Sequence, residues 1–252
     1  MNILKRIKDL ITNIFNKSEL TFDGWKCDFE EQFDGTNDEV WGPCIKAKSN
    51  WNKFMTEKFP EVIKKNGETF VRLLCLPDYE NNTFTTEGIT TKGKKMFGPG
   101  RIEVRARFNP GRTTWPAIWL VNNNNSNDEY YEIDVCEYFG TRNSLNVTYH
   151  FPSSMNKKHS PIYRSTTNFS KTDWNDFVCE WDEKAIKVYV NGKRVMIINN
   201  DENQTHYPVN VKDRFLFIIL SMQYMAPGMG KPDPSELPLW MDVDYVRHWT
   251  KK

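Results

Sequence analysis

Neither sign of charge dominates this chain: 34 lysines and arginines stand against 33 aspartates and glutamates, a net charge of +1. That balance gives no general pull toward nucleic acid or an anionic surface, so no nucleic-acid partner is expected. Local basic patches could still serve a sulfated ligand. No apolar run is long enough to span a membrane. No internal repeat and no second domain can be seen. The five cysteines, Cys27, Cys44, Cys75, Cys136 and Cys179, are odd in number, form no CxxC pair and show no ligand-like spacing. Cys27 with Cys44 is the one disulfide pairing to consider. Cys136 reads as a small hydrophobe rather than a nucleophile, because no histidine lies near it in sequence.

Helical periodicity is missing from most of the chain, and the exception is the N-terminus. Ile3, Leu4, Ile7, Leu10, Ile11, Ile14 and Phe15 recur at helical spacing among charged and polar residues, which predicts an amphipathic helix within residues 1–19. Lys5, Arg6, Lys8 and Asp9 interrupt the apolar stretch that a signal peptide needs, and no small-residue cleavage site follows. No classical signal peptide is therefore expected, which with the thiols fits a protein made in a reducing compartment. A basic amphipathic helix can lie on a membrane surface, pack on the folded domain or tether it to an assembly, and all three remain open.

Residues 20–252 read as one domain, and its patterns are those of strands. Residues 101–108 alternate, with Ile102, Val104, Ala106 and Phe108 inward and charged residues outward. Ile186, Val188 and Val190 alternate up to Asn191-Gly192, and Val195 and Ile197 continue beyond it, which predicts a hairpin. The run Phe215 to Leu220 is apolar throughout and predicts a central strand covered on both faces. Strands at short spacing with turn signals between them point to an all-β sandwich. The polar run that begins at Asn122 and continues through Asp128 reads as a loop.

The chemistry concentrates in residues 132 to 137, Glu-Ile-Asp-Val-Cys-Glu, three carboxylates within six positions of a strand-like segment. Side chains alternate along a strand, so Glu132 and Asp134 share one face and Tyr131, Ile133 and Val135 the other. Glu137 has the wrong parity. One extra residue near Val135-Cys136, a β-bulge, would return it to the face of the other two, and bulges are frequent beside active sites. Paired carboxylates suit glycoside hydrolysis, in which one ionised group attacks the anomeric carbon and one protonated group hands a proton to the leaving oxygen. An edge strand with scattered acids, or a metal site with oxygen ligands, is the plainer alternative. Just upstream, Trp115, Ala117 and Trp119 fall on one strand face and Ile118 and Leu120 on the other. Two indoles at that spacing, about 13 Å apart, can stack on sugar rings or be core residues.

These segments resemble glycoside hydrolase family 16, the retaining endo-β-glycanases. The resemblance rests on four blocks: 97–107 (FGPGRIEVRAR), 115–120 (WPAIWL), 132–138 (EIDVCEY) and 241–247 (MDVDYVR). The hexapeptide is similar to the longer, bulged signature of the laminarinase and agarase branches. The resemblance implies a concanavalin-like jelly roll with a concave cleft. It implies Glu132 as nucleophile, Glu137 as acid/base with a raised pKa, and Asp134 as the carboxylate between them, able to share a proton with Glu132. It also implies Trp115 and Trp119 as sugar platforms on the non-reducing side of the scission point and His150 near the leaving-group sugar. Gln223 or Tyr224 could line the cleft. No cofactor is required, but several relatives hold a structural Ca²⁺, for which Asp244 is the matching ligand and Asp242 the alternative. The departures from the family pattern at Asn175 and at 221–223 bear on the substrate more than on the reaction. The expected partner is a polysaccharide, with β-1,3-glucan first and a galactan as the alternative, acted on outside the cell by a monomer. A transglycosylase and a non-catalytic glycan-binding module are the rival readings.

Overall fold

A computed structural model describes residues 20–49, 51–123, 130–140, 143–152, 159–200, 214–224 and 233–252. The N-terminal segment with its expected helix, and residues 124–128 of the asparagine-rich loop, lie outside the described residues. The described chain forms sixteen strands: β1 (Thr21–Phe22), β2 (Trp25–Glu31), β3 (Gly42–Pro43), β4 (Glu61–Lys65), β5 (Glu68–Asp78), β6 (Thr83–Thr90), β7 (Gly100–Asn109), β8 (Thr114–Asn122), β9 (Glu132–Tyr138), β10 (Leu145–Pro152), β11 (His159–Thr166), β12 (Asn175–Trp181), β13 (Ala185–Val190), β14 (Lys193–Asn199), β15 (Leu216–Tyr224) and β16 (Leu239–Lys251). No helix among the described residues is long and apolar enough to cross a membrane.

Antiparallel pairing orders these strands into two layers joined where β5 pairs with β6. The first layer runs β11-β10-β9-β8-β15-β6, and the second runs β5-β16-β7-β12-β13-β14. Apolar side chains at alternate positions fill the space between them, as the period of two requires. Ile118 and Leu120 of β8 and Ile218 and Leu220 of β15 belong to one buried cluster with Leu73 of β5, Val104 of β7 and Val243 of β16.

Three sequence expectations meet their physical reason here. On β7 burial alternates strictly, with Ile102, Val104, Ala106 and Phe108 buried. At the hairpin tip Asn191 and Gly192 both have positive φ, 49° and 74°, which asparagine and glycine tolerate and the right-handed strand twist favours. The apolar run is β15, buried along its whole length because both of its faces are covered. Leu216, Ile218 and Leu220 face the other layer, while Phe217 and Ile219 face outward into a second, smaller cluster with Ala117, Trp119 and Val121. The strand begins one residue later than expected: Phe215 lies outside it and is 41% exposed.

The considered Cys27–Cys44 pairing is corrected. Both are free thiols, as are the other three cysteines. Cys27 lies on β2, which joins the second layer through β16, and its thiol donates to the Phe29 carbonyl at 3.1 Å. Cys44 is buried in the cluster on the outer face of the first layer.

Candidate active site

The carboxylate strand β9 lies inside the first layer, between β8 and β10. Against β8, Glu137 is opposite Ala117 and Cys136 opposite Ile118, but Asp134 is opposite Trp119, so Val135 is the extra residue of a bulge. That insertion turns Glu132, Asp134 and Glu137 to the outer face, while Ile133, Val135, Cys136 and Tyr138 all enter the core. Cys136 is fully buried, and burial with the charges of Glu137 and Asp134 pushes its thiol well up. It is a packing residue.

Hydrogen bonds fix each carboxyl. Trp115 Nε1 donates to Glu137 Oε1 at 3.0 Å, and the Thr148 hydroxyl lies 3.0 Å from Glu137 Oε2. The Tyr130 phenol donates to Glu132 Oε2. Carboxyl oxygens of Glu132 and Asp134 lie within 4.8 Å of each other, close enough for the charge of Asp134 to disfavour ionisation of Glu132. His150, opposite Glu132 in register, brings Nε2 to 3.0 Å from Asp134 Oδ2 and 3.7 Å from Glu132 Oε1. The ring expected near a leaving-group sugar is thus tied to the carboxylate pair.

Burial raises the pKa of all three acids, assisted by the charge of Asp134 at Glu132 and of Glu137 at Asp134. At Glu137 the Thr148 and Trp115 donors oppose the rise. The rise expected at Glu137 is thus common to all three acids, and like charges this close favour ionising them one at a time. Such a set can present one ionised and one protonated group together.

From β9 a cleft of about 830 Å³ runs across β8 and β15 to β6 and β3. Trp115, Trp119 and Gln223 line it. Trp119 is only 8% exposed and donates from Nε1 to Ser221 Oγ at 3.2 Å, so it forms floor as much as platform. Gln223 is buried, with Nε2 2.9 Å from the same Ser221 oxygen. Trp51 meets Trp119 edge to face, ring centroids 5.0 Å apart, and also lines the cleft. It was not foreseen, because a lone tryptophan in a polar stretch between strands carries no periodicity. Thr148 and Tyr130 were missed as well, although Tyr130, two residues before Glu132, has the parity to share its face. Asn175 is corrected: it is buried at the start of β12 in the opposite layer, where its amide holds Ser170, Asp173 and Asn191. Its departure from the family pattern bears on a turn, not on substrate.

The residues at the expected Ca²⁺ position do not fit that ion. The Asp244 carboxylate lies 3.6 Å from Arg105 Nε, and Arg247 and Arg107 also act on it. Asp242 is fully buried between Arg72, at 2.7 and 2.9 Å, and Arg107, at 3.1 Å. Guanidinium groups already supply the positive charge there, whereas Ca²⁺ needs six or more oxygens. Among the described residues the one cluster of potential ligands is Glu132, Asp134 and His150.

The family model "Glycosyl hydrolases family 16" matches residues 50–221. The chain is 24% identical over 248 residues to a keratan-sulfate endo-1,4-beta-galactosidase of Sphingobacterium multivorum, covering 94% of this chain and 58% of that protein. It is 27% identical over 186 residues to a beta-glucanase of Rhodothermus marinus, covering 67% of this chain and 63% of the relative. The chain therefore spans about three fifths of the length of these two relatives. The solved structure of the laminarinase from Rhodothermus marinus superposes with a TM-score of 0.76 at 22% identity, covering 90% of this chain and 98% of the other, and so shares the fold. With the match reaching across more than half of the chain and the bulged carboxylate strand inside it, this protein belongs to glycoside hydrolase family 16.

Proposed function

We propose that the protein is a retaining, endo-acting glycosidase that cleaves a β-linked polysaccharide. The observation that carries this reading is the Val135 bulge, which turns the half-buried Glu132, the buried Glu137 and the aspartate between them into one open cleft. Glu132, with one oxygen held by Tyr130, attacks the anomeric carbon, and Glu137 protonates the departing oxygen. Forming the ester removes the charge of Glu132. The pKa of Glu137 then falls, and it accepts a proton from the water that releases the sugar. Asp134, held by His150, shares its proton with Glu132 and fixes its orientation. A binding module without turnover would have no use for three mutually repelling carboxyls crowded onto one face of the cleft.

A β-1,3-glucan is the first substrate, in keeping with the beta-glucanase relative. A sulfated galactan is the second reading, for two reasons. The galactosidase relative aligns with nearly the whole chain. The end of the cleft away from β9 carries Lys92 and Lys94, with the Lys92 ammonium 5.5 Å from the centre of the Phe217 ring and, among the described residues, no acid in the lining there. Transglycosylation uses the same intermediate with a sugar as acceptor.

The test is product analysis on laminarin, lichenan, agarose, carrageenan, keratan sulfate and xyloglucan, with proton NMR of the first product. Internal cleavage of one polymer with the β-anomer appearing first is expected. An initial α-anomer, or no new reducing ends on any polymer, would remove this function.

A further inference from the structure

We propose that Tyr163 is a sugar platform on the leaving-group side of the carboxylates, holding the part of the β-linked chain that cleavage releases; this rests on the glycosidase reading above. The cleft explains only half of an endo-acting site. It leaves β9 in one direction, toward β8, β15 and β6, whereas a polysaccharide cut internally continues past the scission point in the other.

That other flank is β10 and β11. Asp134 pairs with Thr148, and Thr148 pairs with Tyr163, so Trp119, Asp134, Thr148 and Tyr163 form one row across four strands. Thr148 shows which way the row faces, since its hydroxyl reaches Glu137. Ile162 packs on the core, and alternation turns the next residue, Tyr163, to the outer face. It stands two strand spacings from Asp134, about 10 Å, within reach of the first sugars beyond the cleaved bond.

Tyr163 is 60% exposed, and of the exposed large apolar side chains among the described residues it is the only one on β9, β10 or β11. Its ring stands edge-on to His150, centroids 6.5 Å apart, and that histidine is fixed by Asp134. Burial and the charges of Glu137 and Asp134 raise its phenol pKa, which places it within the field of the catalytic acids. A tyrosine held this way offers a flat apolar face for the C–H surface of a sugar and a hydroxyl for hydrogen bonding.

The experiment compares the polymer that the parent cleaves fastest with the β-fluoride of the matching disaccharide, whose fluoride leaving group puts no sugar on this flank. For Tyr163→Ala the ratio of kcat/KM on polymer to kcat/KM on fluoride should fall about tenfold, and transfer to an added oligosaccharide acceptor should fall with it. Tyr163→Trp, which keeps a stacking face, should restore both and guards against a folding defect in the alanine variant. An unchanged ratio, or a tryptophan variant as poor as the alanine one, would overturn the assignment while leaving the enzyme reading intact. A parent inactive on every polymer would instead remove the enzyme reading itself, and this inference with it.

Discussion

Replacing Asp134 by asparagine should stabilise the protein at neutral pH while it weakens catalysis. Asp134 is 3% exposed and stands beside Glu132, with Glu137 acting on it as a further like charge. Ligand atoms of Glu132 and Asp134 lie within 4.8 Å of each other, a separation at which two full charges repel by about 3.5 kcal/mol at an effective dielectric of about 20. The raised pKa of both groups relieves part of this, so the expected gain is about 1 to 3 kcal/mol, or about 3 to 9 °C in melting temperature for a chain of this size. Asparagine keeps the shape, can accept from His150 and can donate to Glu132.

The pH dependence carries the diagnosis. Burial and the Glu137 charge raise the folded pKa of Asp134 well above its ordinary value of 3.8. A group raised in this way contributes stability that is fully present below the unfolded pKa and is lost as pH rises through the folded one. The parent therefore gives up stability as pH rises above the unfolded pKa, about 4, that the variant does not. Thermal unfolding of both proteins from pH 4 to 8 should show no gap at the acid end and a growing one toward pH 8. A gap independent of pH, or a variant less stable than the parent at pH 7, would refute the idea that Asp134 is strained by its neighbours. Activity of the variant should be reduced and still measurable.

The remaining predictions concern the groups around Asp134. Glu132→Gln and Glu137→Gln should each remove all but about a thousandth of the activity on polymer, as expected when a nucleophile or acid is lost, with circular dichroism unchanged; near-normal turnover in either would take that residue out of the site. Tyr130→Phe deletes a donor that favours ionised Glu132, so the acid limb of kcat/KM should move to higher pH, and a limb that stays in place would leave Tyr130 a packing residue. Trp119→Ala should lower both stability, by about 3 to 5 kcal/mol for the cavity left, and oligosaccharide affinity in an inactive background, read by unfolding and calorimetric titration of one sample. Loss of stability alone would return Trp119 to the core.

What was readable in the chain was local. Alternation along residues 101–108, the Asn191-Gly192 turn and the unbroken apolar run ending at Leu220 each state how one segment sits on a sheet, because side-chain parity is set within the strand. The Glu132, Asp134 and Glu137 row belongs to the same class: wrong parity at Glu137 demanded an extra residue, and Val135 supplies it. The sites that went wrong or unseen depend on which strands become neighbours. Asp242 is matched by Arg72 and Arg107, 170 and 135 residues away in sequence, and nothing near it in the chain announces two guanidinium partners. Trp51 reaches the cleft from a segment before β4, Thr148 reaches Glu137 across a strand boundary, and Tyr163 joins the row only through β10. Periodicity is decided by the geometry of a single backbone and is written in consecutive residues. Pairing between distant strands is decided by how all the apolar faces are buried at once, and only the folded chain resolves that.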